Sequence, residues 1–485
     1  MRIGVFAPVF LKPERHLGQT KSVNNAFIAK ACSRLLSAAA FAICVCVSIG
    51  AASTQSSAAR AHPDSFYLAR GINPHPVKLS HPEVEPLSAM AELGRKLFFD
   101  SDLSGSGKLS CSSCHDPAHA YGPPGADSVM VNGGSDMHTA GFRAVPSLGY
   151  LYRQPAFRIA PDISGDDLAP NYQQQASLAA IHAKVLKSAA APQAAATNLV
   201  PQGGLFWDGR VDTLQQQANG PVFNPVEMAA NTSDVAKKLE QPVYADDLRA
   251  LFGASIFENP QHTLAEAMFA IGRYQIEEPS FHAFTSKYDA WLAGQARFTP
   301  AETRGYLAFN DPMKGNCAGC HLSKPTADGL PPLFTDFQYE ALGVPRNKAI
   351  PANSDPAYFD LGICGPYRTN MSDQTQYCAM FLTPSLRNTA TRKVFFHNGV
   401  FHTLDEVLDW YVNRDLKPEK FYPRDASGAV VKYDDIPEKY RANVDTVDAP
   451  FNRKPGDKPA LNKREMQDII AFLRALNDGY GSVAH

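Results

Sequence analysis

Two short stretches of this chain each mix apolar and polar positions and share a Gly, a Phe and a final Asp at matching places. One is Glu92-Leu93-Gly94-Arg95-Lys96-Leu97-Phe98-Phe99-Asp100; the other is Thr303-Arg304-Gly305-Tyr306-Leu307-Ala308-Phe309-Asn310-Asp311. Each predicts a short amphipathic helix that ends on a Phe and an Asp. Helical stretches are also predicted over Thr263 to Glu277 and Leu461 to Asn477. Strand signals are sparse. With 33 Gly and 37 Pro, the rest reads as loop, so the expected class is all-α with long loops.

The pairing continues downstream. Pro146-Ser147-Leu148 matches Pro384-Ser385-Leu386, and Phe206-Trp207-Asp208-Gly209 matches Phe396-His397-Asn398-Gly399. A Thr-Leu pair follows each Gly (Thr213-Leu214 and Thr403-Leu404). The chain therefore reads as one domain written twice, with a boundary near Gly294 to Pro300. The expected units are 62–296 and 297–485. Residues 322–380 form an insertion in the second, a length that marks a functional segment or a surface elaboration.

Leu35 to Gly50 is a short apolar run after a basic stretch, and Ala59-Arg60-Ala61 fits a cleavage site. This predicts a signal peptide over residues 1–61 and a periplasmic location rather than a membrane span. Of the 46 Lys and Arg, seven fall in that leader with one Glu, leaving 39 basic against 47 acidic residues. No basic run marks a nucleic-acid surface. An acidic face would suit a basic redox partner.

The two predicted helices each lead into a Cys-x-x-Cys-His segment, Cys111 to His115 and Cys317 to His321. This is the attachment pattern of a c-type haem. Cys111 and Cys114, and Cys317 and Cys320, add across the haem vinyl groups, while His115 and His321 supply the proximal nitrogen. A zinc knuckle would need further ligands at fixed spacing. Two covalent c-type haems agree with export. Outside the leader and these motifs, Cys364 and Cys378 remain; an oxidising compartment favours pairing them, and two free thiols are the alternative.

The repeat also predicts an asymmetry. Pro221 and Tyr411 each lie twelve residues after the Gly of their turn. A Tyr can ligate ferric iron through its phenolate, whereas a Pro side chain has no donor atom. If this position faces iron, Tyr411 closes the second haem and Pro221 leaves the first open.

At these residues the chain resembles the bacterial di-haem cytochrome c peroxidase and MauG superfamily. The most specific segments are the paired motifs, Phe-Trp-Asp-Gly-Arg (206–210), Gly-Pro-Val-Phe-Asn-Pro-Val-Glu-Met (220–228), Pro-Ser-Leu-Arg-Asn (384–388) and Phe-Phe-His-Asn-Gly (395–399). The resemblance implies that the N-terminal haem reacts with hydrogen peroxide. It places Trp207 between the haems, and Glu227, Gln217 and Pro221 in the distal pocket. Tyr411, where conventional members place a Met, matches the MauG-like branch. Two features depart from the family. No His stands at the usual spacing to cap the first haem, His138 being nearest. The positions that hold an inter-haem calcium correspond to Ala144, Arg392 and Val394, none with a side-chain oxygen, which puts calcium in doubt; Arg392 is a candidate to replace its charge.

Each assignment has a plainer rival. Tyr411 and Trp207 would serve as core aromatics, and Glu227 as a helix N-terminal carboxylate after Pro225. Arg210 would pair with a haem propionate, Asp208 or Asp212. Met371 and Met380 lie in the insertion, a poor place for a ligand. The expected activity is a di-haem peroxidase: Glu227 moves the peroxide proton, and Trp207 relays an oxidising equivalent to the second haem. Electrons would come from a small c-type cytochrome or cupredoxin, or from a protein substrate. The alternative is a non-catalytic di-haem electron-transfer protein. The sequence leaves a homodimer open.

Overall fold

The helix before each Cys-x-x-Cys-His segment crosses another helix at a glycine. In the computed structural model, which describes residues 63–125, 132–162 and 199–481, Ala89–Phe99 packs against Pro260–Glu277, and Pro300–Asn310 packs against Lys463–Arg474. A Cβ on Gly94 would lie 1.9 Å from the Ala270 carbonyl oxygen, and one on Gly305 would lie 1.9 Å from that of Asp468. Both crossings therefore run backbone against backbone. Around them lie two apolar clusters. Leu93, Leu97, Phe98, Met268 and Ile271 belong to the first; Phe309, Phe334, Ile469, Phe472 and Leu473 belong to the second.

Capping sets the helix ends. Ser88 accepts from the Ala91 N–H at the start of the first helix. Thr299 with Glu302, and Asn462 with Glu465, form reciprocal capping boxes. The Asn462 box explains why the last helix starts at Lys463 rather than Leu461, and it ends at Arg474, short of the Asn477 expected from apolar periodicity. Asn259 caps a helix that begins at Pro260, three residues before the expected Thr263.

The protein is mostly helical, with three two-stranded antiparallel pairs among the described residues. Asn132–Gly133 pairs with Thr139–Ala140, Arg158–Pro161 with Leu199–Gln202, and Tyr339–Glu340 with Phe381–Leu382. Strands of two to four residues are too short to show a period of two, so the all-α expectation is corrected at these points. The expected leader lies outside the described residues. No described helix is long and apolar enough to cross a membrane.

Contacts do not stop at residue 296. Tyr288, Trp291 and Phe298 join the second cluster, and the Trp291 indole donates to the Gly71 carbonyl (3.0 Å). The 322–380 segment is not a surface elaboration. Cys364 and Cys378 are disulfide-bonded. Arg368 donates to the Asp208 and Gly209 carbonyls (2.9 Å each), and the Tyr339 hydroxyl donates to the Gly203 carbonyl (2.6 Å). The segment thus grips the 203–210 turn of the first half.

The glycine crossing gives a direct prediction. Gly305→Ala forces a methyl into the Asp468 carbonyl and should cost about 1–3 kcal/mol or more. Leu307→Ala, on the same helix at a half-exposed position, should cost far less. Differential scanning calorimetry of the two variants against the parent checks this.

Candidate functional site: two cavities and the turn between them

Each Cys-x-x-Cys-His segment lines a cavity with its histidine held in one tautomer. In the first, Ser110 starts the single turn Cys111–Cys114; in the second, Cys317–Gly319 forms a 3₁₀ turn. The His115 Nδ1–H faces the Tyr121 carbonyl at 3.1 Å, and that of His321 faces Phe334 at 2.9 Å. The carbonyls of Pro146 and Pro384 also act on these rings. Burial pushes both histidines down to about 4. Each imidazole is therefore neutral, and pinning Nδ1 leaves Nε2 as the nitrogen a metal would take. Two thiols and one such nitrogen on the wall of a cavity are the donor set of a c-type haem, so these residues fit one haem in each cavity.

The same turn stands beside both cavities. Phe206 and Phe396 share positive φ (67° and 64°), as do Gly209 and Gly399 (64° and 65°). An antiparallel bridge closes each turn, Leu205 with Val211 and Phe395 with Phe401. Trp207 therefore corresponds to His397. Trp207 lines both cavities, and its indole N–H donates to the Ala144 carbonyl at 2.9 Å. His397 lies flat on Phe381, with ring centres 3.5 Å apart. Asp208 holds Arg210 at 3.0 Å, and the guanidinium lies over Phe206 (3.6 Å). Asp212 instead accepts from the Phe157 N–H.

Helices Leu214–Phe223 and Leu404–Asn413 follow the two turns, capped by Thr213 and Thr403. Pro221 and Tyr411 therefore stand at the same helical position. Pro221 lines the cavity of Cys111, Cys114 and His115. Tyr411 lines that of Cys317, Cys320 and His321, with Phe451 stacked on its ring at 5.3 Å. Burial pushes the Tyr411 phenol up. Gln217 borders both cavities. Glu227 lines the first, but it sits in a tight turn and the next helix starts only at Thr232, so it caps no helix. Burial raises its carboxyl above the usual range, partly offset by the Asn224 amide at 2.5 Å and by Arg210. Met371 and Met380 pack around Tyr339 and Ile363 and line neither cavity. His138 is exposed in a hairpin.

Sequence reasoning missed a layer over the first cavity. Phe142, Arg143 and Tyr367 line it as well. Arg143 bridges Asp208 (2.7 Å) and Asp360 (2.6 Å), all three buried. Tyr367, Asp360 and Arg368 come from the second-half insertion, more than 150 residues from the turn they reach, so no local pattern could announce them. At the calcium positions, the Arg392 guanidinium is buried, pushed down to about 10, and donates to the Val145 carbonyl (2.8 Å). With Trp207 on Ala144, protein N–H donors occupy successive carbonyls beside a cation. These residues do not fit a calcium ion.

Two haem-attachment cavities sharing one indole define a di-haem c-type oxidoreductase. A family model for di-haem cytochrome c peroxidases matches residues 88–297. The chain is 34 % identical over 329 residues to the methylamine utilization protein MauG of Paracoccus denitrificans, covering 67 % of this chain and 74 % of that one. It is 29 % identical to the cytochrome c551 peroxidase of Nitrosomonas europaea, over 69 % and 75 % of the two chains. The crystal structure of the diheme peroxidase BthA from Burkholderia thailandensis superposes with a TM-score of 0.68 at 35 % identity, over 84 % and 92 % of the chains. The chain belongs to the di-haem cytochrome c peroxidase and MauG family. It is a di-haem enzyme with two covalently attached c-type haems that reacts with peroxide.

Proposed function

We propose that this enzyme is a periplasmic, MauG-like member of its family, with an open first haem and a second haem closed by Tyr411. The observation that carries this reading is the matched helical position of Pro221 and Tyr411, each beside its own attachment motif. Pro221, with no donor atom, would leave the first iron open to a small ligand, whereas the Tyr411 phenolate would help to hold the second haem, whose iron would offset the burial that raises the phenol. The roles follow residue by residue. Cys111, Cys114 and His115 hold the first haem; Cys317, Cys320, His321 and Tyr411 hold the second. The haems, when bound, supply the iron that cleaves the peroxide O–O bond and the store of charge behind it. Glu227 takes the proton from the near peroxide oxygen and returns it to the leaving one, with Gln217 and Pro221 shaping the pocket. Trp207, bordering both cavities, carries electrons between them.

The doubled turns, caps and glycine crossings support an internal duplication, with haem domains over 62–296 and 297–485. The leader over 1–61 supports export. The reductant is a small c-type cytochrome or cupredoxin, or aromatic residues of a protein substrate. The test is the coordination of each iron in the resting diferric protein, read by electron paramagnetic resonance. One high-spin haem and one low-spin haem with a phenolate ligand are expected. Two six-coordinate irons inert to peroxide and cyanide would instead describe an electron carrier.

A further inference from the structure

Tyr367 reaches the first cavity from the opposite half of the chain. It lies three residues after Cys364, inside the loop closed by the Cys364–Cys378 disulfide, and the next residue, Arg368, is anchored on the Asp208 and Gly209 carbonyls. Its ring is fixed on several sides. The Arg143 guanidinium lies 4.9 Å from the ring centre, that of Arg210 lies 5.2 Å away, and Phe142 packs at 5.9 Å. Tyr367 and Glu227 line the same cavity, and the phenol lies close enough to feel the Glu227 charge. Yet no described residue hydrogen-bonds the hydroxyl, in a neighbourhood where Arg143, Arg210, Asp208 and Asp360 are all paired. A half-buried phenol on the cavity wall, with no hydrogen-bond partner among the described residues, has its O–H available to a ligand in that cavity.

We propose that Tyr367 is a further distal residue of the first haem, donating a hydrogen bond to the ligand on its open iron. The inference rests on the reading that this haem is open and goes beyond it by assigning the donor. Burial raises the phenol, so it stays protonated and complements Glu227, the acceptor. A bound anion or peroxide oxygen thus meets a base from the first half of the chain and a donor from the second. No bond is made or broken at Tyr367; it orients the ligand and stabilises negative charge on it.

Fluoride is a suitable probe because it accepts hydrogen bonds and donates none. The diferric holoenzyme is titrated and the dissociation constant read from the visible spectrum. Tyr367→Phe should weaken fluoride binding by about tenfold or more, the range for one hydrogen bond to a charged acceptor. Tyr358→Phe, changing the neighbouring insertion tyrosine that packs on Phe142 but does not line the cavity, should leave binding within about twofold. Equal affinities in Tyr367→Phe and the parent overturn the proposal while leaving the open haem intact, and so does equal weakening by both variants. A parent enzyme that takes up no fluoride overturns both the open haem and the donor.

Discussion

Glu227→Gln is expected to slow the reaction with hydrogen peroxide by about 10²–10⁴-fold, the usual worth of a positioned general acid–base group. The amide has nearly the same shape and can still accept from Asn224, so the cavity should keep its form while losing the proposed proton carrier. The pH profile separates this from a structural effect. Burial raises the Glu227 carboxyl above the ordinary carboxylate range. A base must be deprotonated, so the parent rate should fall as pH drops through that raised pKa, on a limb above the usual pH 4 to 5. The Gln variant should lose this limb and react slowly at every pH. Stopped-flow mixing of diferric enzyme with peroxide from pH 5 to 9 gives both readings. A Gln variant as fast as the parent would remove the acid–base role.

That residue illustrates what the sequence could carry. Glu227 lies in a motif where Asn224, Pro225 and Glu227 are close neighbours, and the turn places them together. The attachment motifs and their histidines are legible for the same reason: three to five residues in a row fix the donor set. The equivalence of Pro221 and Tyr411 could also be read, because both are counted from a turn whose backbone recurs down to positive φ at Phe206 and Phe396. What escaped was assembled across distance. Arg143 is an ordinary Arg until Asp208 and Asp360 close on it from opposite sides. Tyr367 is a loop Tyr until Arg368 and the disulfide bring it to the first cavity. Such contacts carry no period and no spacing. Composition suggested a loop, and only the fold shows that this loop spans the two halves.

With Tyr411 as the proposed ligand of the second haem, Tyr411→Met should convert that haem into one that accepts electrons more readily. An anionic phenolate stabilises the oxidised iron, whereas a neutral thioether favours the reduced state and raises the potential. Axial ligands shift haem potentials over a range of about 0.8 V, so a rise on the order of 100 mV or more is expected for this haem alone. The surroundings suit the exchange. Phe451, Phe396 and Trp410 pack around the ring, and this apolar box would take a Met side chain without a buried polar group being stranded. Arg414, three residues on, is fully buried but already paired with Asp415 and tied to the Leu342 carbonyl, so it should stay in place. Spectroelectrochemical titration resolves the two haems, and the first should keep its potential to within a few tens of millivolts. Tyr411→Phe supplies no ligand at all; its second haem should become high-spin or take up water and lose the phenolate-to-iron absorption. If both variants left the second haem's spectrum and potential unchanged, Tyr411 would be a packing residue and the division of labour between the haems would need another origin.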